Sequence, residues 1–143
     1  MIYTTMTKKA LQLCYEAHKD QLDKSGMPYV FHPFHLAEQM ETEETTIVAL
    51  LHDVVEDTDY TLSDLRKMGF AQTVIDALSL LTHDPEVEYI DYVLAIKENP
   101  IAKIVKLADL RHNSDLSRLD TVDERALVRS EKYGKAIQLL EGK

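Results

Sequence analysis

His52 and Asp53 stand side by side in an otherwise apolar run, with Ile47-Val48-Ala49-Leu50-Leu51 before them and Val54-Val55 after. An imidazole and a carboxylate are costly to bury among aliphatic side chains unless they are paired or bound to a cation. A second apolar run repeats the irregularity: Ile101-Ala102, Ile104-Val105, Leu107-Ala108 and Leu110 enclose Lys106 and Asp109. On a helix, His52 and Asp53 lie about 100° apart and can lean toward one point. Asp109 is the natural third ligand for a divalent cation there, and His32, just before Pro33, the fourth. His35, one turn from His32, and His112, one turn from Asp109, stay open as substitutes, because spacing does not choose among them. Two neutral imidazoles and two carboxylates, with positions left for water, suit Mn²⁺, Fe²⁺ or a catalytic Zn²⁺. The competing reading is a hydrogen-bonded pair with a structural role.

Glu56 and Asp57 follow at i+4 from His52 and Asp53 and continue the same helical face. Two carboxylates beside a metal site are what hydrolysis requires, one to take a proton from water and one to protonate a leaving oxygen. Acidic residues at a helix C-terminus oppose the macrodipole, a cost that function would explain; a solvated acidic helix end is the alternative.

The elements that must hold these residues are helical. Only four glycines and four prolines punctuate the chain, and the apolar residues between them recur at helical spacing. The pattern predicts helices over residues 5–18, from Pro33 to about 40, 43–55, a short one from Thr61 with Asp64 completing a capping box, 71–81, 86–97, 100–115 and 121–140, the last with Glu124 in the capping-box position. The two polar-interrupted helices are apolar on every face, which predicts the centre of the molecule for both. No stretch alternates long enough to need a strand. The expected fold is all-α, one compact bundle of seven or eight helices forming a single domain over residues 1–143.

Composition narrows the partners. The chain carries 16 Lys+Arg against 25 Asp+Glu, a net charge of −9, which argues against a nucleic-acid backbone as partner. A small phosphorylated ligand needs only a few local cations. The single Cys14 excludes an intrachain disulfide framework and suits a reducing compartment. Nothing resembles a signal peptide and no run approaches the ~20 apolar residues of a membrane span, so a cytoplasmic chain without a membrane partner is expected. Amphipathic outer helices leave homo-oligomerisation open.

Further motifs surround the candidate ligands. In order they are Ala17-His18, Lys24-Ser25-Gly26 with Pro28-Tyr29, His32-Pro33, Leu50 through Thr58, and Lys106-Leu107-Ala108-Asp109 with His112-Asn113. This ordered set spans nearly the whole chain and resembles the HD-domain metal-dependent phosphohydrolases, most closely the Rel/Spo-type hydrolases of the stringent-response alarmone (p)ppGpp. The resemblance implies removal of the 3′-diphosphate from guanosine 3′,5′-bis(diphosphate) with Mn²⁺. It implies His32, His52, Asp53 and Asp109 as metal ligands and Glu56 and Asp57 as catalytic carboxylates. Asn113 would contact the sugar, and Lys24, Ser25 and Tyr29 the base and ribose. Arg129 and Tyr133 would face phosphate, while Lys106 would meet phosphate or pair with Asp109.

Three departures accompany the likeness. Asp23 stands where relatives carry an arginine that stacks on guanine, and a carboxylate offers no flat cation. Residues 86–97 bring Glu86, Glu88 and Asp91 in place of a basic stripe, and Thr82 is followed by His83. The metal chemistry therefore carries over more directly than the guanine specificity. A hydrolase of another nucleotide phosphate, such as the 2′-phosphate of NADPH, is the alternative, followed by a non-catalytic nucleotide-binding protein.

Overall fold

The computed structural model describes residues 1–142. Helix α3, Glu43–Leu51, is the axis of the bundle: Thr42 caps it by accepting from the Thr45 N–H, and every residue from Thr45 to Leu51 is buried. Around it pack α1 (Thr5–His18), α2 (Phe31–Glu38), α6 (Gln72–Leu81) and α8 (Pro100–Asn113). The short α4 (Val54–Asp57) and α5 (Leu62–Lys67) link α3 to α6, while α7 (Tyr89–Lys97) and α9 (Glu124–Leu140) pack on each other and on α8. The fold is all-α, as expected; the extended pairing among the described residues is one isolated bridge, Leu22 with Pro28.

Local chemistry explains the helix starts. Thr61 and Asp64 form the expected capping box at α5. Pro33 sits in the first turn of α2, where its missing N–H costs nothing, and Pro100 opens α8 behind the Asn99 cap. At α9 the expected box of Thr121 and Glu124 is replaced by Asp123, whose carboxylate accepts from the Ala126 N–H at 2.8 Å and moves the start to Glu124. Helix α7 begins at Tyr89 rather than near 86, because Asp84 turns the chain by accepting from the Glu86 N–H at 2.9 Å.

Two larger differences bear on the site. The expected helix over 43–55 is broken: α3 ends at Leu51, Asp53 sits at φ −106°, ψ 0°, and α4 restarts when the Asp57 N–H donates to the Asp53 carbonyl at 2.9 Å. That bridge conformation is sparsely populated and recurs at functional positions. Helix α8 is also not apolar all round. Ala102, Val105, Ala108, Asp109 and Leu110 face inward, whereas Ile104 is 51% exposed. No helix among the described residues is long and apolar enough to cross a membrane.

Candidate active site

Three of the expected ligands converge from three elements. His32 comes from the first turn of α2, His52 from the residue after α3, and Asp109 from the last turns of α8; all are buried. One ligand atom from each lies within 4.8 Å of the others. His32 Nε2 is 2.8 Å and His52 Nε2 3.5 Å from Asp109 Oδ1. Asp53 joins them, with Oδ2 3.0 Å from His52 Nε2. The break between α3 and α4 brings these consecutive side chains together.

The His52 ring shows what this cluster is built to receive. Its Nδ1 faces the Ala49 carbonyl at 2.6 Å, an acceptor only, so Nδ1 carries a proton and Nε2 is the ring atom left to face the carboxylates or a cation in their place. Nε2 is buried without a hydrogen-bond partner, although two carboxylates lie near it. A metal ligand held through its second nitrogen by a backbone carbonyl has this arrangement. His32 can do the same: its Nδ1 lies 2.6 Å from His112 Nδ1, which can accept a proton there and free Nε2. His112 stacks on His32 with ring centroids 4.9 Å apart, so it serves as a support and not as a substitute ligand.

Charge points the same way. Burial works against ionised carboxylates, yet His52 holds Asp53 down at about 2, and Lys106 with the two imidazoles holds Asp109 well below the usual range. Burial also opposes a charged His52, but Asp53 and Asp109 outweigh it and pull its pKa well above the ordinary value. A buried and a half-buried carboxylate that attract a proton this strongly also attract a cation. The donor set fits a divalent metal ion, with mixed nitrogen and oxygen ligands. The outer contacts are equally specific: the Tyr29 hydroxyl donates to Asp53, Lys106 Nζ donates to Asp109 Oδ2 at 2.9 Å, and Asn113 Nδ2 donates to Asp109 Oδ1 at 2.9 Å. Lys106 thus serves the carboxylate.

Glu56 and Asp57 ride on α4, a helix separate from α3, and the Asp57 N–H to Asp53 carbonyl bond of 2.9 Å keeps that pair one turn apart while His52 stands before the break. Each is tied to a different segment: Glu56 accepts from the His83 N–H at 2.9 Å, and Asp57 accepts from Gln21 Nε2 at 3.4 Å. Partial burial, followed by the neighbouring Asp53 charge, raises both carboxyl pKa values.

His32 also lines a cavity of about 320 Å³. Lys24, Ser25, Tyr29, Asn113, Arg129 and Tyr133 all lie on its wall. Lys24 is brought beside Arg129, and its pKa is lowered by burial and then by that second cation. Ser25 does not point freely into the space, since its hydroxyl donates to the Arg118 carbonyl at 3.2 Å. Sequence reasoning missed a further part of the wall: Asp115, Leu116, Arg118 and Leu119, around the 3₁₀ turn Leu116–Arg118. Asp23 has two tasks that composition did not reveal. Its Oδ1 accepts from the N–H groups of Ser25 and Met27 at 2.8 and 3.0 Å, closing the turn where Gly26 adopts φ +79°, and its Oδ2 lies 3.8 Å from Arg118 Nη2.

No family model matches the chain. It is 32% identical over 140 residues to a guanosine-3′,5′-bis(diphosphate) 3′-pyrophosphohydrolase of Aquifex aeolicus (strain VF5), covering 90% of this chain and 19% of that protein. It is 33% identical over 147 residues to a GTP pyrophosphokinase of Streptomyces coelicolor, covering 94% and 16% respectively. In three dimensions it superposes, with a TM-score of 0.76 and 26% identity, on a metazoan ortholog of SpoT described as hydrolysing ppGpp and acting in starvation responses. That match covers 98% of this chain and 87% of the other. The chain is a relative of the Rel/Spo-type hydrolases. It spans less than a fifth of the length of the curated relatives above. Those relatives carry both hydrolase and pyrophosphokinase names, so the chemistry of this segment must be read from its own residues.

Proposed function

We propose that residues 1–143 form one HD-type domain, a cytoplasmic metal-dependent phosphohydrolase that removes the 3′-diphosphate of guanosine 3′,5′-bis(diphosphate). The observation that carries this reading is the buried cluster of His32, His52 and Asp109 reaching, through His32, a cavity walled by Lys24, Arg118 and Arg129. The names of the relatives support the guanosine nucleotide and lend no support to the 2′-phosphate of NADPH. His32, His52, Asp53 and Asp109 would hold the metal, with Mn²⁺ the first candidate for such a shell. When bound, a divalent cation supplies Lewis acidity toward phosphoryl oxygens and makes water more acidic.

The chain's own residues do the rest. Lys24 and Arg129, two cations held together without a carboxylate within ion-pair distance among the described residues, meet the phosphate charge, and Tyr133 adds a hydroxyl. Asn113 spends its amide on Asp109 and keeps its carbonyl oxygen for a sugar hydroxyl. Water attacks the phosphorus attached to the 3′-oxygen, that P–O bond breaks, and pyrophosphate leaves. Glu56 and Asp57, whose raised pKa values bring them nearer to the working pH, carry the two protons: one from the water, one to the 3′-oxygen. The test is pyrophosphate release by Mn²⁺-loaded protein from guanosine tetra- and pentaphosphate alarmones, their adenosine analogues and NADPH. Release from the guanosine compounds, abolished by Asp53→Ala, is expected. Phosphate from NADPH alone would transfer the chemistry to another nucleotide, and a metal-loaded protein inert on every compound would overturn the proposal.

A further inference from the structure

Helix α4 is a single turn of four residues, too short to hold its side chains in place unaided, and its two carboxylates lean on different neighbours. Glu56 accepts from a backbone group, the His83 N–H at 2.9 Å. Asp57 is exposed and accepts from a side chain, Gln21 Nε2 at 3.4 Å, just beyond the end of α1, which packs against α4. A primary amide turned by 180° would present its oxygen to that carboxylate, and two acceptors would then face each other. His18 removes this freedom. Its ring is wholly buried at the end of α1, with Nδ1 2.9 Å from Gln21 Oε1. With the amide nitrogen turned to Asp57, Oε1 can only accept, so Nδ1 carries a proton. His18 Nε2 is buried without a hydrogen-bond partner among the described residues, a cost that an aliphatic side chain would avoid. The ring therefore earns its place through the bond to Gln21. The Gln21 backbone is pinned on both sides: its N–H donates to the His18 carbonyl at 3.0 Å, and its carbonyl accepts from the Tyr29 N–H at 2.8 Å.

We propose that His18 is a positioning residue for the hydrolytic step: by donating to Gln21 Oε1 it keeps the Gln21 amide nitrogen turned to Asp57 and holds that carboxylate where it exchanges its proton. This inference rests on Asp57 being one of the two proton carriers proposed above. Gln21 lines the cavity and His18 lies behind it, so His18 acts through Gln21 and not on the substrate. The two carboxylates differ in consequence. A side-chain change at position 83 leaves the N–H that Glu56 uses, whereas a side-chain change at position 18 reaches Asp57.

The experiment compares His18→Asn with His18→Leu in the full chain. Asparagine places an N–H close to the position of Nδ1, while leucine fills space and donates nothing. Both lose the ring packed 5.0 Å from Tyr29, so any effect through Tyr29 is common to the two. In Mn²⁺-loaded protein, His18→Leu should lower kcat for pyrophosphate release from guanosine tetraphosphate by roughly tenfold and leave KM within about twofold. His18→Asn should recover kcat to within about threefold of wild type. Gln21→Met should lower kcat as His18→Leu does, and the double variant should fall no further than either single one. Nuclear magnetic resonance of the chelated chain gives a reading that needs no turnover: the Gln21 side-chain amide signals should move in His18→Leu and in Asp57→Asn, and keep their wild-type positions in His18→Asn. Equal kcat in the asparagine and leucine variants, or Gln21 signals unmoved by His18→Leu, overturns the inference. Should His18→Leu fail to fold, Gln21→Met decides, and a kcat within about twofold of wild type overturns it. The expected amide signals in a wild-type protein that releases no pyrophosphate would sink the proposed activity and keep the link from His18 to Asp57.

Discussion

Replacing Lys106 with methionine tests whether the metal site is organised by charge. Lys106 Nζ lies 2.9 Å from Asp109 Oδ2, with only 14% and 7% of the two side chains exposed. Burial disfavours the ammonium, but Asp109 outweighs that and keeps Lys106 charged. Coulomb's law at 2.9 Å with an effective dielectric of ~20 gives about 6 kcal/mol for the pair. Loss of one partner from a buried pair usually costs about 3–5 kcal/mol. The lower part of that range applies here, because Asn113 still donates to Asp109 Oδ1. In chelated protein, Lys106→Met should therefore lose about 3 kcal/mol, or roughly 10 °C in Tm for a chain of this size. The metal-loaded protein should behave differently. A ligand at about 100 times its Kd adds about 2.7 kcal/mol, and the variant should gain more than wild type because Asp109 no longer shares its charge with an ammonium. The assay is urea unfolding followed by circular dichroism, with chelator and with a fixed free Mn²⁺ concentration. Lys106→Gln, which keeps a donor and loses the charge, should follow Lys106→Met in its larger metal gain. A chelated variant within about 1 kcal/mol of wild type, or a metal increment smaller than wild type's, would refute the reasoning.

Two further outcomes are expected. Tyr29→Phe removes the hydroxyl that donates to Asp53 while keeping the ring against His18 and His32; Mn²⁺ affinity, read by paramagnetic resonance titration, should weaken by roughly 10- to 100-fold, and an unchanged affinity would show that Tyr29 does not orient Asp53. His112 is pushed down from 6.5 to about 4, first by burial and then by Arg118. The unfolded chain thus binds a proton that the folded chain refuses, so the stability present above about pH 6.5 is lost as pH falls toward about 4. In chelated protein, His112→Phe should flatten the stability curve over that window, and parallel curves for the two proteins would disprove the assignment.

The candidate ligands His52, Asp53 and Asp109 were legible because each is polar within an apolar run, and the cost of burying such a group does not depend on knowing the fold; His32 was read only from its place before Pro33. Helix caps carrying their own chemistry were legible too, as at Thr61 and Asp64. The break at His52 and Asp53 was not, since neither glycine nor proline marks it and the apolar run continues to Val55. Helix α8 looked buried on every face because hydropathy counts Ile104 without knowing that it faces solvent. The wall after α8 lacks any period, and Arg118 becomes visible only once α9 folds back and the connection must cross the cavity. Asp23 is the instructive residue. In sequence it is a missing arginine; in the structure it closes a turn with one oxygen and faces an arginine from another segment with the other. Substituting arginine at position 23 would therefore break the loop as well as alter any stacking.

The acidic balance of the chain and the anionic substrate proposed for it are reconciled by where the few cations sit. Lys106 is held against Asp109, and Arg118 shares its charge with Asp23 at 3.8 Å. With Lys24 and Arg129, Arg118 makes a cationic wall too small to neutralise two diphosphates on a chain of net charge −9. The divalent ion must then supply much of the attraction, and it does so from a buried cluster where salt screens poorly. Nucleotide affinity in this protein should accordingly depend steeply on metal occupancy and only shallowly on ionic strength, the opposite of a site built from a surface patch of lysines and arginines.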